Sequence, residues 1–312
     1  VSRTISRKAS IALTAALVAA PRFARAQGLT QVEIGVNSNE SNADAFYAKD
    51  AGVFTRNGLD VDIQVLNGGA AVAAAITGGT LQIGASNVLS LATAIARGLP
   101  FVAIAPATVA ETAHATSGVV VLANGPVHSA KDLNGKVVSG ISLGGIDQLG
   151  AYSFIDKYGG DSSTIKYIEL PPPGVPGALE AGRISAGLVP EPLLSELLAG
   201  GKVRSLGHSY DGIGPRFMSV VFFAKRDWAN ANAALVKTFA ASLLAGEAWA
   251  DANPAAAAAS LGKWTKTTVD RRRMVTGKTL DPALLQPLLD SAFKYKLLPR
   301  QMTATELIWK SP

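Results

Sequence analysis

The chain has 312 residues, 48% apolar and 17% charged, with a formal net charge of +6 and no cysteine. That length can bury a core in each of two α/β lobes, and the apolar content excludes a disordered chain. The missing cysteines exclude disulfides, thiolate metal sites, cysteine nucleophiles and a lipidated N-terminal cysteine.

The positive charge belongs mostly to residues 1–26, which hold Arg3, Arg7, Lys8, Arg22 and Arg25 and no acid. The remainder has 24 basic against 23 acidic residues, so it carries no nucleic-acid footprint, which needs a clustered positive face. Residues 1–26 read as a secretory signal peptide. Arg3, Arg7 and Lys8 form the charged start, residues 9–20 the apolar stretch, and Ala24-Arg25-Ala26 the cleavage site, leaving Gln27 as the new N-terminus. The apolar stretch is too short to span a bilayer, which takes about 20 residues. Arg7-Lys8 is half of a twin-arginine signal, so the export route stays open. The mature chain is expected to be a periplasmic monomer with no integral membrane segment.

From there the pattern is strand, turn, helix. Val32 to Val36 predicts a strand, and Asn42 caps a helix over Ala43 to Ala51, with Gly52 at a left-handed C-terminal position. Val61 to Leu66, Leu81 to Ala85 and Phe101 to Ala105 are further strands. Between them lie helices over Ala70 to Thr77 and Asn87 to Arg97, the second capped by Ser86. Val119 to Leu122 and Lys136 to Ser139 open a second series, with helices from Ile146 to Tyr158, Val175 to Ala181 and Pro192 to Ala199. Strands at Lys166 to Leu170, Ile184 to Val189 and Val203 to Gly207 complete it. After a strand at Ser219 to Ala224 the sequence is mostly helical, including the Ala-rich run 255–259. Such alternation predicts mainly parallel sheets flanked by helices.

One internal repeat stands out. Ala75-Ile76-Thr77-Gly78-Gly79-Thr80-Leu81-Gln82-Ile83-Gly84 and Ala178-Leu179-Glu180-Ala181-Gly182-Arg183-Ile184-Ser185-Ala186-Gly187 share one pattern of alanine, aliphatic and glycine positions. Each reads as a helix end, a glycine and a short buried strand. Two copies about a hundred residues apart are too distant for a solenoid and suggest two lobes on one plan.

The stretch Phe46-Tyr47-Ala48-Lys49-Asp50-Ala51-Gly52-Val53-Phe54 through Gly58-Leu59-Asp60-Val61-Asp62 resembles the opening motif of the periplasmic binding proteins for sulfonates, taurine, nitrate and thiamine precursors. Gly79 to Ser86, Val127 to Val138 and Ala178 to Pro192 resemble three further motifs of that family, in order. The resemblance implies a type II two-lobed periplasmic binding protein, α/β, whose lobes close on a small-molecule ligand and deliver it to an ABC permease with its ATPase. It implies lobe 1 at 27–118, lobe 2 at 119–216 and a return to lobe 1 at 217–312, with hinges near 117–124 and 209–219. Neither a cofactor nor a metal is implied. Gln82 and Ser185 replace the family's usual acid, Pro190 its aromatic, and the run Pro171-Pro172-Pro173 is unusually stiff, so the family's ligands are not carried over.

In open α/β sheets ligands lie beyond the carboxyl ends of strands. The turns there supply the candidate contacts: Asn37, Ser38, Glu40, Gly68, Gly69, Ser86, Asn87 and Thr108 in lobe 1, and Ser142, Gly144, Gly145 and Glu191 in lobe 2. Backbone donors at helix starts favour a small organic anion, a sulfonate, carboxylate or aromatic acid. If Glu40 and Glu191 both face the cleft, they point instead to a neutral or amine-bearing heterocycle such as a pyrimidine precursor. Capping is the plain role for Ser86 and Ser142, and a helix-terminus carboxylate for Glu191. Of the isolated His114, His208 and Arg216, His208 is the expected contact because it ends a strand near the return crossing; Tyr210 and Phe217 could form an aromatic wall. A same-fold biosynthetic enzyme and a periplasmic sensor partner remain alternatives, but no hydrolase, zinc-protease or phosphate-loop motif is present.

Overall fold

The computed structural model describes Val1, residues 28–269 and residues 274–312. The cleavage site and the rest of the leader after Val1 lie outside the described residues. The first lobe opens with β1 (Thr30–Val36), α1 (Ala43–Asp50), α2 (Val53–Arg56), β2 (Leu59–Val65), α3 (Gly69–Gly78), β3 (Ile83–Asn87), α4 (Val88–Ala96) and β4 (Phe101–Pro106). After β5 (Thr108–Glu111) the chain enters the second lobe: β6 (Ser117–Leu122), β7 (Val137–Gly140), α5 (Ile146–Lys157), β8 (Lys166–Glu169), α6 (Val175–Glu180), β9 (Ala186–Pro190), α7 (Leu193–Ala199) and β10 (Val203–His208). It returns through β11 (Arg216–Met218), β12 (Val220–Lys225), α8 (Arg226–Ala231), α9 (Ala233–Ala252), α10 (Pro254–Thr265), β13 (Val275–Thr276), α11 (Pro282–Lys294) and α12 (Ala304–Leu307).

The two large sheets share one topology. Their strand orders are β2-β1-β3-β12-β4 and, reading from β8, β8-β7-β9-β6-β10. In each, one strand runs against the others, β12 in the first lobe and β6 in the second. The internal repeat falls at matching places. Its strands β3 and β9 each sit between a parallel neighbour and the reversed strand. Its glycines Gly79 and Gly182 both adopt positive φ after a helix, where a side chain would be strained. Its last glycines lie under valines twelve residues earlier: a Cβ on Gly84 would meet Val72 at 2.2 Å, and one on Gly187 would meet Val175 at 2.6 Å. The pattern therefore encodes one helix-on-sheet contact used twice.

Both faces of the first sheet are buried. Along β12, Phe222 joins the cluster of Phe46, Phe54 and Phe239, while Val221 and Phe223 join the opposite cluster of Val72, Ile76 and Leu285. That alternation follows the two-residue period of a strand. The second sheet divides Val119 and Val121 from Val120 in the same way.

Three local expectations are corrected. Helix α4 is capped by Asn87, whose Oδ1 accepts from the Ser90 N–H at 2.9 Å. Ser86 is still strand, because β12 pairs with β3 as far as Asn87. Pro192 precedes α7 as its cap residue and is not its first helical residue. Ser117 to Leu122 already belongs to the second sheet, so the first crossing falls at 112–116, ahead of the predicted hinge, while 209–215 carries the second. A small third sheet, β11-β5-β13, was not expected, since strands this short leave no period to read.

The second crossing lies flat on α5. A Cβ on Gly212 would come within 2.1 Å of the Ser153 carbonyl oxygen, and backbone cannot step aside. Gly212→Ala is expected to cost about 2 kcal/mol, read as a lower urea midpoint. An unchanged midpoint would show that the crossing can lift off α5 freely.

Candidate ligand-binding cleft

A cleft of about 530 Å³ opens between the lobes, within the range of small-molecule sites. Its walls are the turns after β1 (Asn37, Ser38, Asn39), β2 (Asn67, Gly68), β7 (Ile141) and β8 (Pro171, Pro172, Pro173), the end of β9 and the turn beyond it (Pro190, Glu191, Pro192), with Leu193 and Glu196 of α7 and the end of α10 with the residues beyond it (Thr265, Lys266, Thr267). It thus lies beyond the carboxyl ends of strands from both sheets, where open α/β folds hold ligands.

The lobes touch around it. The Glu40 N–H donates to the Glu191 carbonyl at 3.1 Å. A Cβ on Gly68 would lie 3.8 Å from that of Ser142. Ile146 and Leu149 of α5 share a core cluster with Leu285 and Leu288 of α11, and Tyr152 of α5 packs against Tyr295, with ring centroids 6.2 Å apart.

Asn37 is oriented by its own neighbour. Its Oδ1 accepts from the Gly68 N–H at 2.9 Å, so the other end of the amide is the donor-bearing nitrogen. Ser38 Oγ donates to the Trp264 carbonyl at 3.0 Å, tying the β1 turn to the end of α10. That end is pinned further. Asp50 of α1 accepts from Ser260, Lys263 and the Trp264 indole, and Trp264 stacks on Phe46 at 4.9 Å. The next residue but one is Lys266, with φ +56°, a conformation usually left to glycine or asparagine at helix ends. Strain of this kind gathers at functional sites. Lys266 makes no ion pair or hydrogen bond with the other described residues.

The second-lobe wall has a different character. Five of its residues are prolines, which carry no N–H. Glu191 is 4% exposed, and its carboxylate accepts from Ser195 N at 3.1 Å and Ser195 Oγ at 2.9 Å. It therefore satisfies the start of α7, as a helix-terminus carboxylate does. The start of α5 is likewise occupied: the Gly144 N–H donates to Gln148 Oε1 at 2.7 Å and the Leu143 N–H to Glu169 Oε2 at 3.3 Å. Asp147 takes a hydrogen bond from Tyr210 at 3.0 Å. Burial pushes its carboxyl up to about 6, opposed by the bonds from Tyr210 and the Ile141 backbone.

Of the sequence candidates, Asn37, Ser38, Gly68 and Glu191 line the cleft. Ser142 stands at the lobe contact beside Gly68, and Gly144 and Gly145 shape the start of α5. Gly69 makes room for Ser86, whose Oγ would lie 2.0 Å from a Cβ there; neither lines the cleft. Asn87 is spent on its cap. Thr108 is fully buried and donates to the Ser41 carbonyl at 2.8 Å. Glu40 is buried too, its Oε1 accepting from the Met274 N–H, and it is Glu191, not Glu40, that lines the cleft. His208 sits on β10 opposite Gly118, its Nδ1 3.8 Å from Asp211, away from the cleft. Arg216 and His114 both meet Glu111, and Phe217 is core. Sequence reading missed Lys266. The available signal was a helix that must stop at Thr265 with no glycine or proline to stop it.

Among the described residues no helix is long and apolar enough to cross a membrane. Three solved structures share the fold. The periplasmic aliphatic sulphonate-binding protein SsuA of Escherichia coli aligns at TM-score 0.73 and 19% identity over 90% of this chain and 92% of that one. The alkanesulfonate-binding protein SsuA of Xanthomonas axonopodis pv. citri, bound to MOPS, aligns at 0.76 and 18% over 92% and 100%. The periplasmic nitrate-binding protein NrtA of Synechocystis PCC 6803 aligns at 0.71 and 15% over 88% and 83%. No curated protein sequence matches. The two lobes, their shared topology and the cleft between them make this a periplasmic-binding-protein fold. Residues 39–257 match the family described as NMT1/THI5 like, and the chain belongs to that family.

Proposed function

We propose that this chain is a periplasmic solute-binding protein that captures a small organic anion between its lobes and delivers it to an ABC permease with its ATPase. The observation that carries the reading is the interlobe cleft, walled by strand-end turns of both sheets and lined by Lys266, which pairs with none of the other described residues, and by Asn37. A ligand bridging the lobes favours the closed form by its differential affinity. The periplasmic location rests on the composition of residues 1–26. Binding of sulfonates and nitrate by proteins of the same fold supports an anion. Glu196 in the wall favours, as a second reading, a neutral or amine-bearing heterocycle.

Thermal unfolding against sulfonates, nitrate, aromatic and aliphatic carboxylates and pyrimidines tests this. A ligand at about 100 times its Kd adds about 2.7 kcal/mol, a shift of several degrees at this size. Stabilisation by anions without turnover is the expected result. Stabilisation by amines alone moves the reading to the heterocycle, and consumption of a compound moves it to an enzyme.

A further inference from the structure

Helix α5 belongs to the second lobe but packs into both. Its Ala151, Phe154 and Ile155 join the second-lobe core, while Ile146 and Leu149 are buried in the first-lobe cluster with Leu285 and Leu288. Between those two apolar residues stands the buried Asp147, whose carboxylate takes a hydrogen bond from the Tyr210 hydroxyl at 3.0 Å. Tyr210 lies on the second crossing. It meets Phe217 of β11 edge-on, with ring centroids 6.3 Å apart, and presses on α5, where a Cβ on Gly150 would come within 3.0 Å of its ring. One hydrogen bond therefore sits where the second lobe, the crossing and the first-lobe core meet.

Among the described residues no cation pairs with Asp147. Tyr167 of β8 crowds the same spot: its hydroxyl and the Asp147 Cβ would lie 2.1 Å and 2.8 Å from a Cβ on Gly140. That hydroxyl has no hydrogen-bond partner among the described residues. Strands β6 and β7 and helix α4 carry no ionisable side chain. The charged groups on the other adjoining elements are engaged elsewhere: Asp211 with Tyr158 and His208, Glu169 with the Leu143 N–H, Glu111 with Arg216 and His114, and Asp156 with Tyr295. On α11, Asp290 accepts from Gln286 and Lys294 lies over the Tyr295 ring.

We propose that Asp147 and Tyr210 form a proton-operated latch between the lobes: while the carboxyl keeps its proton the seam of α5, the crossing and the first lobe stays packed, and its ionisation loosens the seam and frees the lobes to move apart. A buried carboxylate without a cation is solvated only where water reaches it, and the two phenols bring no countercharge. Burial raises this carboxyl to about 6, and opening the seam removes that cause. The packed arrangement is thus favoured while the group is protonated and loses its advantage as pH rises through that value. The lobes touch across the cleft in this arrangement, at the Glu40 N–H and the Glu191 carbonyl, so the latch makes closure depend on pH. It needs the two-lobed fold and not the solute-binding reading, so failure of either leaves the other standing.

The chain has no cysteine. Ala71→Cys on α3 and Ala199→Cys at the end of α7, both exposed, therefore carry spin labels on the two lobes without background. Pulsed electron paramagnetic resonance reads the distance between them at about pH 4.5 and about pH 7.5, on either side of the carboxyl's midpoint. The ratio of separated to packed populations is expected to rise at least about tenfold between the two, as a carboxyl moved from 3.8 to about 6 allows. In the same labelled protein Asp147→Asn, which cannot ionise, is expected to keep one distribution at both. Tyr210→Phe removes a donor that favours the carboxylate and is expected to move the midpoint upward. A distance in the parent protein that ignores pH overturns the latch, as does a midpoint in Tyr210→Phe that stays or falls. An equal response in Asp147→Asn also overturns it and assigns the response to His208 or His114.

Discussion

Replacing Phe239 with alanine is expected to remove about 4 kcal/mol of folding stability and to lower the melting temperature by about 8 °C. Phe239 is fully buried. It stacks on Phe54 of α2 and meets Phe222 of β12 edge-on, with ring centroids 5.5 Å away in both cases. Its loss therefore opens a cavity where α9, α2 and the reversed strand of the first sheet converge. Urea unfolding measures the change. Because the ring is remote from the cleft, ligand affinity of the folded variant should stay unchanged. A loss under about 1 kcal/mol would mean the site collapses to fill the void, which rigid strand and helix backbones on three sides oppose.

The second large effect is a pH dependence set by Asp147. Its side chain is 4% exposed, and burial raises its carboxyl to about 6 from an unfolded value of 3.8. Tyr210 and Tyr167 flank it, and neither neutralises its charge. Between those two values the folded state holds a proton that the unfolded state has released. Stability therefore falls as pH rises from about 4 to about 6 and is level above that, by on the order of 3 kcal/mol for a shift of this size. Asp147→Asn keeps an oxygen for Tyr210 and cannot ionise. The difference in unfolding free energy between variant and wild type should grow across that interval. A constant difference would show that the carboxyl titrates normally.

Much of the fold was legible in the sequence. Strand alternation, glycine stops and the Ala75–Gly84 and Ala178–Gly187 repeat are local patterns, and local sterics enforce them: a left-handed glycine at Gly79 and Gly182, and space for a valine above Gly84 and Gly187. The turns that form the cleft were legible for the same reason, since strand ends can be located from period and breakers. Asn37, Ser38, Gly68 and Glu191 were named on that basis.

What those side chains do was decided elsewhere. Glu40 and Glu191 are both acids in strand-end turns, yet Met274 claims one and Ser195 the other. Ser86 and Asn87 are adjacent, and which of them caps α4 depends on how far β12 pairs along β3. His208 ends a strand, but that strand lies at the edge of its sheet, beside the crossing. Lys266 is more than two hundred residues from Asn37 in the chain and shares its cleft only because Asp50, Phe46 and Ser38 hold the end of α10 there. The sequence by itself determined the two-lobed plan, because backbone conformation and hydrophobic period are properties of neighbouring residues. Only the tertiary structure decided the chemistry of the cleft, because which donor or charge stays available depends on partners that folding brings from distant parts of the chain.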